Sequence, residues 1–408
     1  MKTIAYAIRS RLTTLLIELK ISLHLLSGLF LLVTATPSFS VEPAKNVYFA
    51  GFALAGNGAQ TEKAFPITIK LLKEQNGKDG AFLLESELWR HVQSSSHPNI
   101  KLNRGLASGL VPGDSVSMAF VLEWENVSSE TVAGKTKMVA DLHGQVLIFD
   151  FDSRKVIGSY PVAVQLLDVL DGPVTEEARA KLIRGLYYGS AGNSIFGQVA
   201  KRLPVVSAKP STGNYIQIVA VDLEPKARQT LSQYRADPNV LVSRVADAFG
   251  ERLFENANVA YIPFTKGTAI GSKMAARFAN GDVFQLELPA PDYRIHLRVR
   301  GYKKMLLDSN SIQSAWGYAS YINVAIKSYD DSKVYLDSPF KYAVTKNVIA
   351  GTRDQDDWSA FQESMSTLID QTTMQIAKPD SDWLEEWSEG DDTLEELESL
   401  SGILERTR

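Results

Sequence analysis

The chain has 408 residues, 45% of them hydrophobic, no cysteine and a formal net charge of -4. These values exclude disulfides, thiolate metal sites, a cysteine nucleophile and the acylated cysteine of a lipoprotein, and they leave no basic excess to attract nucleic acid. The acidity is concentrated in one place: from Asp380 to Arg408 eleven carboxylates stand against two arginines, so the body ahead of that tail is close to neutral.

Residues 1–40 read as a secretory signal peptide. Lys2, Arg9, Arg11 and Lys20 precede an apolar run from Ile21 to Ala35, which breaks at Thr36-Pro37 into the small-residue stretch Ser38-Phe39-Ser40, with cleavage expected after Ser40. The run contains Ser22, His24, Ser27 and Gly28 and falls short of the roughly 20 residues a membrane-spanning helix needs. No later stretch is longer and more apolar. The expectation is an exported periplasmic protein that is not lipidated and has no stable transmembrane insertion.

After the leader, one layout occurs twice. Asn46 to Leu54 and Asn214 to Val221 are short apolar runs that read as buried strands opening each half. A helix follows in both, over Leu83 to Val92 and from Pro238. In the second, Asp237 is the cap, Pro238 takes the first position, and Leu241, Val245, Ala248, Phe249 and Leu253 form one stripe. Asn99-Ile100-Lys101-Leu102 and Asn258 to Ile262 then read as short strands. The next strands alternate: Val116, Met118, Phe120, Leu122 and Trp124 in the first half, Tyr293, Ile295, Leu297 and Val299 in the second. Pro112-Gly113-Asp114 and Pro291-Asp292 introduce them. Hairpins follow, turning at Asp152-Ser153 and at Asp330-Asp331-Ser332, and Lys155 to Pro161 recurs at the same spacing as Lys333 to Pro339. Each half closes with a helix, one begun by Thr175, the other striped by Trp358, Phe361, Met365, Leu368, Thr372 and Ile376. The halves differ in an extra segment over Phe65 to Leu72 and in a short helix expected near Met274 to Ala279.

The predicted class is α+β: two similar domains, each a mixed or antiparallel sheet packed by helices in the order β-α-β-β-β-β-α. The boundaries are 41–207 for the first domain, 208–213 for a linker, 214–378 for the second domain and 379–408 for an acidic amphipathic tail.

The layout from Asn214 to Ala377, with a fainter copy from Asn46 to Leu203, resembles the small α+β domain of an envelope family. Its members include the N-terminal part of the Tol-Pal translocation protein, the curli secretion channel subunit, the lipoproteins that activate penicillin-binding proteins, and flagellar assembly protein T. No diagnostic motif carries the resemblance; strand texture does. It implies non-catalytic work in envelope assemblies, such as docking and ring building, and it offers no catalytic residues to carry over. The missing lipidation cysteine and the absence of propeller repeats leave a flagellar-ring type of component as the closest of the four.

The residues themselves give little sign of chemistry. His91, His97, His143 and His296 have no metal-ligand or triad spacing, and no HExxH, GxSxG, P-loop or EF-hand loop occurs, so no catalytic residue, metal or cofactor is expected. Arg294, His296, Arg298 and Arg300 make one face of a strand electropositive, either as a solvated face or as a surface for an acidic partner. Asp150 and Asp152 read as turn chemistry before they read as paired catalytic carboxylates. Gly56-Asn57-Gly58 lacks the rest of a phosphate loop. Gly189 to Ser194 reads as a helix break, with Asn193 or Ser194 capping the next helix.

In the tail, Trp383, Trp387, Leu394, Leu397, Leu400 and Leu404 fall at helical spacing among carboxylates. So acidic a segment lacks the apolar area to fold alone. It is expected to fold onto a partner's groove through those anchors, the alternatives being that it docks on its own domains or only keeps the protein soluble. The functional expectation is a non-catalytic protein-interaction or scaffold component of a bacterial envelope assembly, with protein partners in the envelope and homo-oligomers open to it. The alternatives are a periplasmic hydrolase that uses carboxylates, and a small-ligand-binding protein with a cavity between its domains.

Overall fold

The computed structural model describes residues 44–407 apart from 57, 76–81, 105–114, 133–134, 191, 209–214, 260, 265–272, 279–281 and 350–356. The expected leader, the Pro112 turn and the linker beyond Ala208 lie outside the described residues.

The first half opens on β1 (Lys45–Ala55), followed by three short helices, α1 (Gly58–Ala64), α2 (Thr68–Leu72) and α3 (Leu83–Gln93), and by β2 (Ile100–Arg104). Three long strands come next, β3 (Val116–Val132), β4 (Lys135–Asp150) and β5 (Val156–Leu170), and the half closes with α4 (Glu176–Tyr188) and α5 (Ile195–Arg202). The two caps are in place: the Thr175 hydroxyl accepts the Ala178 N–H at 3.2 Å and the Ser194 hydroxyl accepts the Gly197 N–H at 3.1 Å.

The second half repeats this order with additions. It runs β6 (Ile216–Leu223), α6 (Pro225–Gln233), α7 (Pro238–Ala257), β7 (Tyr261–Ile262), β8 (Lys273–Phe278) and β9 (Val283–Glu287). Then come β10 (Tyr293–Ser309), β11 (Gln313–Ser328), β12 (Val334–Ile349), α8 (Asp357–Ala377), α9 (Ser381–Trp387) and α10 (Thr393–Thr407). Asp237 accepts the Asn239 N–H at 2.7 Å ahead of Pro238, and Leu241, Val245, Phe249 and Leu253 of α7 are buried. Both hairpin turns use aspartate. Asp150 accepts the Ser153 N–H at 2.7 Å. Asp330 accepts from Ser332 and Ser328, which holds its carboxyl down to about 2.

The fold is α+β, with two sheets packed by helices. The first is ordered β5-β4-β3-β1, with β2 on the remaining edge of β1; the second is ordered β12-β11-β10-β6-β7. In both, the opening strand lies parallel to its two neighbours and the long strands form antiparallel hairpins.

One element crosses between the halves. The segment expected as a helix near Met274 is instead the hairpin β8–β9, and β8 pairs antiparallel with β1 through Ala53↔Phe278, Leu54↔Arg277 and Ala55↔Ala276. Ala275 and Ala276 favour a helix by intrinsic propensity, but a hydrogen-bonded place beside β1 outweighs a few tenths of a kcal/mol per residue. Ala276, Leu286 and Leu288 of this hairpin are buried against Ala119, Val121, Leu147 and Phe149 of the first sheet. A stretch within 214–378 thus completes the sheet of 41–207.

The main core of the first half is an aromatic knot. Phe52, Phe120 and Phe196 meet edge to face with ring centroids 5.3 to 6.2 Å apart, and Tyr187 joins them. In the second half the tail supplies part of the core. Leu384, Leu397, Leu400, Ile403 and Leu404 are buried with Leu336, Phe340, Leu368 and Ile369.

Candidate functional site

The two halves meet along α7, and the residues at that seam are the strongest concentration of polar chemistry among those described. Arg244, Asp247, Glu251 and Glu255 fall on one face of the helix by their spacing. Opposite them, β4 alternates, so Asp141, His143 and Gln145 share a face, flanked by Glu123 on β3 and Gln165 on β5.

The contacts cross the seam. Arg244 approaches Asp141 at 3.6 Å, and Asp141 also accepts from Gln165 at 2.5 Å and Asn126 at 3.3 Å. Gln145 donates to Glu123 at 3.1 Å and accepts from Ser159 at 2.7 Å. Arg202 of α5 lies 2.7 Å from Glu255 and 3.8 Å from Glu251, with its guanidinium over the Phe254 ring. Beside this network is a cleft of about 540 Å³, lined on one side by β4 and β5 and on the other by α7, Tyr302 and α8. Lys137 of β4 donates to Ser359 of α8 at 2.5 Å, a further tie between the halves.

The electrostatics follow from crowding like charges in a partly dry place. Desolvation, with Asp247 nearby, pushes the Glu123 carboxyl up to about 8. Desolvation and Glu251 push Asp247 up to about 7, and desolvation and Glu255 push Glu251 up to about 6. Desolvation, helped by Arg244, brings His143 down to about 4. The carboxylates hold protons in the folded chain that they release when it unfolds, so stability falls as pH rises from the ordinary carboxylate range towards 8. His143 acts the other way, but only between about 4 and 6.5. We therefore expect the urea midpoint to fall between pH 6.5 and 8.5, and Asp247→Asn to flatten the fall. A midpoint that is level or rises over that range contradicts the assignment.

The electropositive strand face is placed as expected but is partly neutralised. Arg294 donates to Asp331 at 3.0 Å, His296 lies 3.7 Å from the same carboxylate, and Arg300 pairs with Glu389 of the tail at 2.5 Å. Arg298 remains exposed. The tail residues read as partner anchors are placed differently. Leu397, Leu400 and Leu404 are buried in this chain's own second core, Trp383 packs 6.3 Å from Phe340, and Trp387 packs 4.8 Å from Tyr342. Leu394 alone of the six stays exposed. The segment meets β12 directly, since Glu389 N–H donates to Pro339 O at 2.9 Å and Ser338 donates to Glu396 at 2.6 Å. While the tail is seated, its buried leucines are not available to a partner. The groove it folds onto is its own.

Sequence reasoning missed the seam. Its residues are unremarkable singly, and they become a site only when α7 is laid against β4, more than one hundred positions away. Among the described residues no group of three or more histidine, aspartate or glutamate side chains is arranged to hold a metal ion. Among the same residues, no helix is long and apolar enough to cross a membrane.

No family model matches the chain, and no curated protein matches it. Among solved structures it is similar to a minor lipoprotein from Acinetobacter baumannii, at 12% identity over 43% of this chain and 95% of that one, with a TM-score of 0.19. It is also similar to the rare lipoprotein B from Shewanella oneidensis, at 15% identity over 47% of this chain and 99% of that one, with a TM-score of 0.19. At such scores these likenesses carry no argument.

Proposed function

We propose that the chain is a non-catalytic protein-interaction component of a bacterial envelope assembly, exported to the periplasm. The observation that carries this reading is the engagement of the seam's polar groups with one another across the halves. Asp141 is held by Arg244, Gln165 and Asn126, and Glu251 and Glu255 share Arg202. Asp141, Arg244 and Glu251 also border the cleft, but their charges are taken up by one another and by Arg202, the arrangement of a joint between the two halves rather than of a free acid and base. The features left open to solvent suit contact. The far end of the β10–β12 arm exposes Leu306, Leu307, Ile312 and Ile349, the last two at 73%. Osmotic release of the full-length gene product with the periplasmic contents is the expected result, and retention in the cytosol overturns the location.

The cleft of about 540 Å³ favours a second reading, a small-ligand site, because its size falls within the usual range for such sites. Native mass spectrometry of chain purified from its own envelope separates the two. The interaction reading predicts polypeptide masses only, of the chain by itself or with polypeptide partners, whereas a stoichiometric small-molecule adduct lost on mutating Arg244 establishes the second.

A further inference from the structure

The two sheets share one strand order, yet the edge that is filled in one carries, among the described residues, no strand over most of its length in the other. In the first half, β1 pairs with β2 through Lys45 to Phe49, and farther along, Ala53 to Ala55 pair with β8, with the Gly56 N–H reaching Ala275 O at 2.7 Å. In the second half, β6 pairs with β7 only at Ile216 and Gln217. From Ile218 to Leu223 it keeps β10 on one side and, among the described residues, no strand on the other. That edge is the floor of a groove of about 510 Å³, walled by Pro238 and Val242 of α7, Phe264 and Arg228. The groove is bounded at both ends, where Gln217 donates to Pro263 O at 3.0 Å and Arg228 donates to Leu223 O at 3.1 Å. Six residues of strand span about 20 Å, enough for an extended segment of five or six residues.

Unpaired main-chain groups in a concave place recognise one kind of ligand well, another strand. The chain itself shows what such a strand looks like, because Lys273-Met274-Ala275-Ala276-Arg277-Phe278 occupies the equivalent edge of β1, antiparallel and with small side chains at its centre. We propose that the β6 edge from Ile218 to Leu223 is an acceptor for an extended segment of a partner polypeptide, added antiparallel as β8 is added to β1. The proposal rests on the interaction reading and names where the partner is held. Small alternating side chains in the donor fit between Val242 and Phe264, and its main chain completes the ladder.

A peptide with the sequence of residues 272–280 serves as the probe, added to the full-length chain and followed by hydrogen exchange. On saturation the expected result is about tenfold slower exchange of the Val221 and Leu223 amides, which alternate with the β10-bonded Glu224 N–H and so face the open edge, with no comparable change in β12. Because the Glu224 N–H donates to Val299 O while Val221 pairs with Leu297, alternation along the parallel ladder turns the Val221 N–H to the open edge, so Val221→Pro removes an edge donor without removing a β6–β10 hydrogen bond and is expected to abolish the protection. Its thermal melt reports whether the fold survives; if it does not, protection in the wild type decides alone. Peptide that fails to protect these amides, or protects others, overturns the proposal. Protection that appears with chain concentration alone transfers the edge to a second copy and also overturns it. A partner captured equally well by wild type and by folded Val221→Pro overturns the edge while leaving the interaction reading standing.

Discussion

A chain ending at Pro379 is expected to lose its cooperative thermal transition, or to melt at least 15 °C lower than the full chain. Removing the tail takes away five buried aliphatic side chains, Leu384, Leu397, Leu400, Ile403 and Leu404, each no more than 5% exposed. At roughly 1.5 to 3 kcal/mol per buried side chain the loss is on the order of 10 kcal/mol. Burial measured against an extended chain is an upper bound, but the sum is comparable with the whole stability of a typical domain. The tail's ties to β12 and to Arg300 go with it. Leu400→Ala alone is expected to cost about 2 to 5 kcal/mol through the cavity it leaves. Calorimetry of the two variants beside the full chain checks both numbers, and a truncated chain that melts like the full one shows the tail to be an appendage.

The second large effect is expected at Gly144. A Cβ there would lie 2.5 Å from the Val121 carbonyl oxygen and 2.6 Å from the Phe120 ring. Both neighbours are buried in β3, and the main-chain oxygen cannot swing aside as the end of a flexible side chain can. Gly144→Val must therefore part β3 from β4 beside the bulge between Leu122 and Trp124. We expect a cost of more than about 3 kcal/mol, at the severe end for a single substitution. Gly402→Ala is the control. Gly402 sits exposed in α10 with nothing within 4 Å of an added Cβ, and the change is expected to stabilise by about 0.5 to 1 kcal/mol. Equal urea midpoints for the two variants would contradict the account of this strand pair.

The local patterns were legible because they are local. Alternation over Val116 to Trp124 and Tyr293 to Val299, the Asp237 and Thr175 caps and the aspartate turns each depend on a few neighbouring residues, and each is found where the sequence puts it. Three things depended on distant residues and were not legible. Met274 to Phe278 reads as helix until β1 offers it a ladder. Leu397, Leu400 and Leu404 announce an apolar face, and the reasoning that so acidic a tail cannot fold alone holds, but nothing near them says that β12 and α8 of the same chain receive it. The seam is the extreme case, since Asp141, Glu123, Asp247 and Arg202 carry no shared spacing, and only packing brings them together.

Crosslinking the full-length chain in its native envelope, with identification of what it captures, tests the central claim most directly. The account predicts a discrete set of envelope polypeptides that is still captured when Glu123→Gln and Asp247→Asn are combined, because those carboxylates belong to a joint. A chain that captures no polypeptide, or whose partners vanish when only these two carboxylates are neutralised in a folded protein, contradicts it.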